Sequence, residues 1–339
     1  VVVCEAKPSI GRKFLMAGKS GLNVTKDEDL DLFASRYDAP HLRPMLDAFG
    51  PREVRIWCRA LGQEVFTGSS GRVFPVAMKA SPLLRAWAER LGSQGVELRT
   101  RWRWTGFVSD AFRFDTPAGV QVLRPRVTVL ALGGASWQRL GSDAAWVPWL
   151  AERGASIAPW KPATMGFCVD WSAMMAPHFG QPVKGVALIA GAHRERGEFV
   201  ISAKGVEGGG IYAVSRLLRE GAKLALDLLP DLTEAEIATR LTKAKPCESA
   251  VNRLRKLGLS PVQIALVMEF SRDAPFARLK NLPIPIAGPR PLDEAISVAG
   301  GVEWASLTED LELKALPGVV VCGVMLDGEA PTFKRITAT

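Results

Sequence analysis

Histidine and tyrosine are scarce in this sequence, with three and two copies in 339 residues, and the five cysteines (Cys4, Cys58, Cys168, Cys247 and Cys322) are scattered singly. No CxxC pair is present and no cysteine sits beside histidines at ligand spacing, which excludes the common zinc motifs and a disulfide-reductase dithiol. Reduced, mostly buried thiols are the expectation, and no metal ligand set is assigned. No serine, histidine and aspartate stand at nucleophile-elbow spacing, which argues against hydrolysis. No apolar run approaches the roughly 20 residues that cross a bilayer. The opening VVVCEA carries neither a basic n-region nor a cleavage site, so a cytoplasmic chain with no membrane role is expected. Internal repeats and low-complexity tracts are absent, and so is the GxGxxG turn that begins many dinucleotide sites.

At 47% hydrophobic and 23% charged, the chain can bury a sizeable core. Its 43 basic side chains against 35 acidic ones give a pI near 9.4. A polyanionic partner would account for that surplus, but the cations are dispersed, and neither a basic stripe nor an RRM, KH or zinc motif presents them. No nucleic-acid partner is expected; the partner is a small-molecule substrate, and the oligomeric state is open.

Val1 to Cys4 forms a β-branched run ending in Glu5, the pattern of a buried parallel strand with an acid at its carboxyl end. A carboxylate there can accept both hydroxyl hydrogen bonds of an adenosine ribose. Residues 8 to 23 read as a glycine-punctuated basic loop. In GRKFLMAGKSGLN, glycines and Ala17 let backbone pass close to a ligand, while Arg12, Lys13 and Lys19 supply cations suited to phosphate. Ser20 and Asn23 add hydrogen-bonding groups, and the apolar Phe14, Leu15 and Met16 are unexplained by a solvated turn. Helices are expected around Glu28 to Tyr37, from about Arg43 to Phe49, and from a Ser81 N-cap with Pro82 at N1 through Leu91.

A β-meander follows across Trp104 to Leu123, then a strand from Val127 to Leu132 ending at Gly133 and Gly134, with a helix from Asp143 to Arg153 behind it. Composition shifts after that, and residues 166 to 285 mix strands and helices as an α+β insertion. The domains are expected at 1–165, 166–285 and 286–339, with a final strand from Gly318 to Cys322 leading into GVMLD.

The stretches GRKFLMAGKSGLN, GSSGRVFP with MKASPLLRAW, VTVLALGGASWQRLGS, GEFVISAKGVEGGGIYAVS, LDLLPDL, LDEAISVAGGVEW and GVMLDGEAPT occur in that order from end to end of the chain. Together they resemble a bacterial family of largely uncharacterised FAD-binding proteins, similar to the bile-acid 3-oxo reductase and aminoacetone oxidase flavoproteins. The resemblance implies an α/β fold: a discontinuous Rossmann-like FAD-binding domain interrupted by an inserted α+β domain. It implies FAD as cofactor, with Glu5 as the ribose-binding acid and Arg12, Lys13, Gly18, Ser20, Gly21 and Asn23 under the pyrophosphate and flavin. The backbone at Trp104 falls at the adenine. Gly133 and Gly134 match a turn that closes over the cofactor, with Leu132 where a threonine is usual. Gly301 matches an AGGV turn, and Gly323, Met325 and Asp327 match a final segment whose acid holds ribityl hydroxyls, with Val324 where Glu is common.

Two departures stand out. The family's first strand and GxGxxG turn would fall roughly two dozen residues before Val1, and FKRITAT stands where a terminal helix is expected. The implied activity is hydride transfer between flavin N5 and a small or steroid-like organic substrate. The alternative is a truncated or degenerate relative that binds no FAD. NAD(P)H as a transient electron donor and oxygen as acceptor both stay open, and no catalytic residue is assigned. His178 and His193 read as surface-loop residues. Tyr212 could donate to a substrate or fill the core, and Glu207 and Lys204 could steer a polar substrate or simply be solvated.

Overall fold

The computed structural model describes residues 1–17, 21–37, 39–243 and 247–329. It divides into two compact units, Val1–Lys161 with Ile296–Thr339, and Pro162–Ala295. The second unit begins and ends at slightly different places from the expected 166 and 285. The strand Gly288–Pro289 pairs with Phe167–Cys168, and the Arg290 N–H donates to the Gly166 carbonyl at 3.0 Å, so residues past 285 are bonded into that unit's own sheet.

The first unit is built on two short parallel ribbons. Val2–Glu5 pairs with Glu97–Thr100, and Thr128–Leu130 pairs with Val319–Val321. Three of these four runs, all but Glu97–Thr100, carry valine, as parallel strands commonly do. Beside them stand an antiparallel meander of Arg103–Val108, Ala111–Thr116 and Gly119–Leu123, and a small antiparallel sheet of Thr25–Lys26, Val65–Thr67 and Arg72–Pro75. A further pair joins Ile157–Thr164 to Ser297–Val302. The helix Pro51–Ala60 starts with proline in its first turn, and Glu53 Oε2 accepts the Gly50 N–H at 3.1 Å. Its Val54 and Cys58, one turn apart, are both fully buried with Leu22, Val24 and Leu83.

Three local expectations are corrected. Within the supposed loop from 8 to 23, Arg12–Ala17 is helical, and Phe14 packs on the Leu22, Val24 and Leu83 cluster, which explains the apolar residues embedded there. The long helix is Ala80–Ser93, so Ser81 and Pro82 lie inside its first turn and Lys79 occupies the N-cap. Proline is accommodated because first-turn N–H groups have no intrahelical acceptor. The helix expected from 143 to 153 is shorter, Val147–Ala151.

The second unit has one seven-stranded antiparallel sheet. Its order is Leu282–Ile284, Leu224–Asp227, Pro182–Ala190, His193–Ser202, Gly205–Glu207, Phe167–Cys168 and Gly288–Pro289. The helix Gly209–Arg219 lies on the two longest strands. Gly197 and Gly210 make that approach possible, because a Cβ on Gly197 would come within 3.1 Å of the Gly210 Cα. The helices Glu234–Thr242 and Pro261–Phe270 each begin with a capping box, from Thr233 with Glu236 and from Ser260 with Gln263. Asp227 is fully buried, with Lys280 Nζ at 2.7 Å, the Arg194 guanidinium against it and the Leu229 N–H on its Oδ1 at 2.9 Å. That matches the rule that buried charges are paired. Among the described residues no helix is long and apolar enough to cross a membrane.

Candidate functional site

In the first unit the carboxyl end of Val2–Glu5 places Glu5 beside the turn that follows. Its Oε1 accepts the Lys7 N–H at 2.7 Å, and its carbonyl accepts the Trp102 N–H at 3.0 Å. The carboxylate is thereby fixed with acceptor capacity to spare, since an ionised carboxylate has about four lone-pair sites.

Lys13, on the short helix after this strand, reaches across to the loop behind Thr128–Leu130. Its Nζ donates to the Ser136 carbonyl at 3.2 Å, to Ser136 Oγ at 3.1 Å and to Ser142 Oγ at 3.2 Å. Ser136 and Ser142 are both buried, and Ser142 Oγ in turn donates to the Gly134 carbonyl at 2.9 Å. The indole N–H of Trp146 holds the Gly133 carbonyl at 2.9 Å. Gly133 has a φ of 75°, and a Cβ on Gly134 would lie 2.5 Å from Val298 Cγ2 and 3.1 Å from Val324 Cγ1. Lys13, the Gly133-Gly134 turn and the Val324 segment therefore form one connected set. Ser136 and Ser142 were not singled out from sequence, because their role appears only when a lysine more than a hundred positions away lands on them.

The far side of this set is equally close-packed. Gly301 has a φ of 133°, and a Cβ there would meet the Met325 carbonyl oxygen at 2.3 Å. Gly300, with a φ of 96°, leaves the same kind of gap over the Pro159 carbonyl at 2.5 Å. Met325 is fully buried, and its Sδ accepts the Leu132 N–H at 3.0 Å. The Asp327 N–H donates to the Val302 carbonyl at 2.9 Å and its carbonyl accepts the Trp304 indole N–H at 2.8 Å, so the acid's backbone is pinned on both sides. Gly323 opens the short turn Gly323–Met325 with a φ of 67°.

These contacts do not include Arg12, Gly21, Asn23 or Trp104. Arg12 begins the short helix, while Gly21 and Asn23 lead into Thr25–Lys26. Asn23 Oδ1 and Thr25 Oγ1 are buried and have no hydrogen-bond partner among the described residues, and a bound polar ligand is one way such atoms are satisfied. Trp104 is buried in the meander against Trp149, with ring centroids 4.8 Å apart, and its indole N–H goes to the Gly106 carbonyl at 2.7 Å. Gly18 and Ser20 lie outside the described residues. Burial raises the thiol pKa of Cys4 and of Cys322, at the ends of the two ribbons, so both stay protonated and unreactive near neutrality.

In the second unit, His178 ends a 3-10 turn with Nδ1 3.3 Å from Gln181 Oε1. His193 lies in a strand rather than a loop, opposite Ala190, with Nε2 3.6 Å from Glu195 Oε2. Tyr212 is in the first turns of Gly209–Arg219, Glu207 ends the strand just before it, and Glu207 is paired with Arg290 at 2.7 Å.

Comparison with known proteins agrees with this architecture. The chain is 25% identical to the 3-dehydro-bile acid delta(4,6)-reductase of Clostridium scindens over 358 aligned residues, covering 97% of this chain and 87% of that protein. Among solved structures, the 3-ketosteroid-delta4-(5alpha)-dehydrogenase of Rhodococcus jostii RHA1, in complex with 4-androstene-3,17-dione, is similar with a TM-score of 0.50. That match has 14% identity and covers 99% of this chain and 89% of that one. The model of the HI0933-like protein Rossmann domain matches residues 1–333. The α/β fold with an inserted domain, the acid-ended first strand and the two glycine turns thus have one common explanation: this chain belongs to the HI0933-like Rossmann-domain family.

Proposed function

We propose that this chain is an FAD-dependent oxidoreductase that moves hydride between flavin N5 and a small or steroid-like organic substrate. The observation that carries the reading is the connected set Lys13, Ser136, Ser142 and Gly134, with Gly301 and Met325 closing its far side. A cation beside narrow backbone turns would suit the charge and the close approach of an extended dinucleotide. The family membership and the bile-acid reductase relative support the same reading.

The residues fit the group in kind. Glu5 would take ribose hydroxyls, Lys13 would stand by the pyrophosphate, and Asn23 would use its unpartnered Oδ1 on a polar edge. Gly133, Gly134, Gly301, Gly323 and Met325 would line the flavin side, with Asp327 toward the ribityl chain. FAD, when bound, supplies the hydride chemistry. The protein's own task is to bind, to orient and to keep water out, and a sequence without a CxxC pair or a nucleophile-elbow triad suits that division. Either NAD(P)H or oxygen would complete the electron balance.

The test is a visible spectrum. The purified chain, mixed with FAD and freed of excess by gel filtration, is expected to retain about one flavin per chain. A colourless protein after that treatment overturns the proposal and favours a relative that has lost its cofactor.

A further inference from the structure

In the first unit, the helices Pro51–Ala60 and Ala80–Ser93 both present apolar side chains to solvent. On the first, Val54 and Cys58 face inward, and the opposite stripe is Arg52, Ile56 and Arg59. Ile56 is 51% exposed and stands between those two exposed arginines. On the second, Trp87 follows the buried Ala80 and Leu83 along one stripe, yet it is 39% exposed. Its neighbour is the half-buried Trp57, edge-on with ring centroids 5.2 Å apart. One turn further along each helix, an open groove is lined by Ala60, Leu61, Ala86, Glu89, Arg90 and Ser93.

The same surface is cationic. Residues 51–60 and 79–93 carry six cations against two acids. One of those acids, Glu53, is occupied by the Gly50 N–H at 3.1 Å, and Arg55 is held by Asp27 at 2.9 Å. Arg59 meets Glu64 only at 3.8 Å. Arg52, Lys79, Arg85 and Arg90 are exposed and have no acid partner among the described residues.

We propose that this helix pair rests on the surface of an anionic phospholipid bilayer. Ile56, Trp57 and Trp87 enter the headgroup layer, and Arg52, Arg59 and Arg90 meet lipid phosphates. Size decides against a protein partner: at these exposures the three apolar side chains offer roughly 300 Å² at most, well short of the roughly 800 Å² per partner of a stable interface. A bilayer needs no shape complement. Tryptophan suits its headgroup layer, arginine reaches its phosphates on an apolar stem, and each cation near an anionic leaflet strengthens binding about fivefold. A nucleic acid would use the charge but leave Ile56 unmatched. The earlier expectation of no membrane role came from the lack of a spanning segment, which a chain lying on a bilayer does not need. The proposal goes beyond the flavoenzyme reading and does not depend on it.

The test is co-sedimentation of the full chain with phosphatidylcholine vesicles that contain or lack about 30% phosphatidylglycerol. At about 0.1 M salt the chain is expected to bind the anionic vesicles about tenfold or more tightly than the neutral ones, and to lose most of that preference at about 0.5 M. The triple variant Arg52→Gln, Arg59→Gln, Arg90→Gln is expected to weaken binding at least about tenfold. A control triple that removes the same charge from the inserted unit, Arg240→Gln, Arg255→Gln, Arg278→Gln, is expected to leave it nearly unchanged. Trp87→Ser and Ile56→Ser, which alter no charge, should each weaken it about fivefold to tenfold.

No binding to anionic vesicles overturns the proposal. So does an equal loss in both triples, which would mean attraction by net charge alone, or undiminished binding in both serine variants. A dimer of the full chain in sedimentation velocity that Ile56→Ser dissociates would assign the face to a second copy instead.

Discussion

The two units bury their apolar side chains in opposite ways. The inserted unit collects its buried apolar side chains in one cluster, from Met165 through Leu188, Ile201 and Leu226 to Ile284, under a single unbroken sheet. The first unit divides its core among three clusters, and its parallel strands come in pairs that bury Val319 and Val321 but leave Val3 at 40% and Val129 at 61% exposed. Parallel strands are ordinarily covered on both faces, and two-stranded ribbons are marginal alone. The inserted unit thus draws its stability from a continuous core. The first unit draws more of it from local devices such as the Lys13 contacts and the glycine turns, which are also the features that build its site.

The largest effect expected from this contrast is in the inserted sheet. Leu226 is fully buried between Leu188 and Leu282 in the strand register. Leu226→Ala is expected to cost about 2–5 kcal/mol through lost burial and the cavity left behind. Val129→Ala in a parallel ribbon should cost no more than about 0.5 kcal/mol. Urea unfolding of the full chain, followed by circular dichroism, compares them. Equal losses would mean that the exposed valines do structural work that the ribbon geometry does not show, and the contrast would fall.

A smaller effect, about 1–3 kcal/mol, is expected from Gly301→Ala. Alanine at a φ of 133° is strained, and its Cβ would sit 2.3 Å from the Met325 carbonyl oxygen, so the backbone must shift. Because Met325 Sδ also holds the Leu132 N–H ahead of the Gly133-Gly134 turn, that shift passes directly into the proposed flavin side. The variant should lose bound flavin out of proportion to its change in unfolding midpoint. A variant that unfolds earlier yet keeps full flavin would separate the turn from the site.

Much of this was legible in the sequence where the signal is local. Val1 to Glu5 reads as a strand ending in an acid, and the meander and the capped helices of the insert announce themselves through alternation and through Ser or Thr followed by Glu or Gln. The helix at Arg12–Ala17 was hidden because flanking glycines and three cations look like a loop, and only the packing of Phe14 against residues as distant as Leu83 pays off its apolar content. Arg290 was invisible for a different reason. Its partner Glu207 is 83 positions earlier, and nothing near either residue encodes the sheet edge that joins them. Ser136 and Ser142 share that cause, since their function as lysine acceptors is created by topology.

The finest test of the contrast asks whether the first unit, for all its exposed ribbon valines, is sealed where its helices pack. Cys58 lies on the inner face of Pro51–Ala60, fully buried, and burial pushes its thiol up to about 11 from the ordinary 9.0. At about pH 8 only about one molecule in a thousand would carry the reactive thiolate, even before access is considered. Cys247 of the inserted unit, by contrast, is exposed to solvent and reagent. A thiol reagent is therefore expected to label Cys247 rapidly and Cys58 only on unfolding. The sign of the pH effect follows from the raised value. The folded chain holds the Cys58 proton more tightly than the unfolded one, so this contribution to stability is complete below about pH 9 and is lost as pH rises toward about 11. Cys58→Ala should flatten that alkaline loss in unfolding midpoints measured across the window, and prompt labelling of Cys58 in the native chain would show that the unit opens locally at its helices as well as at its ribbons.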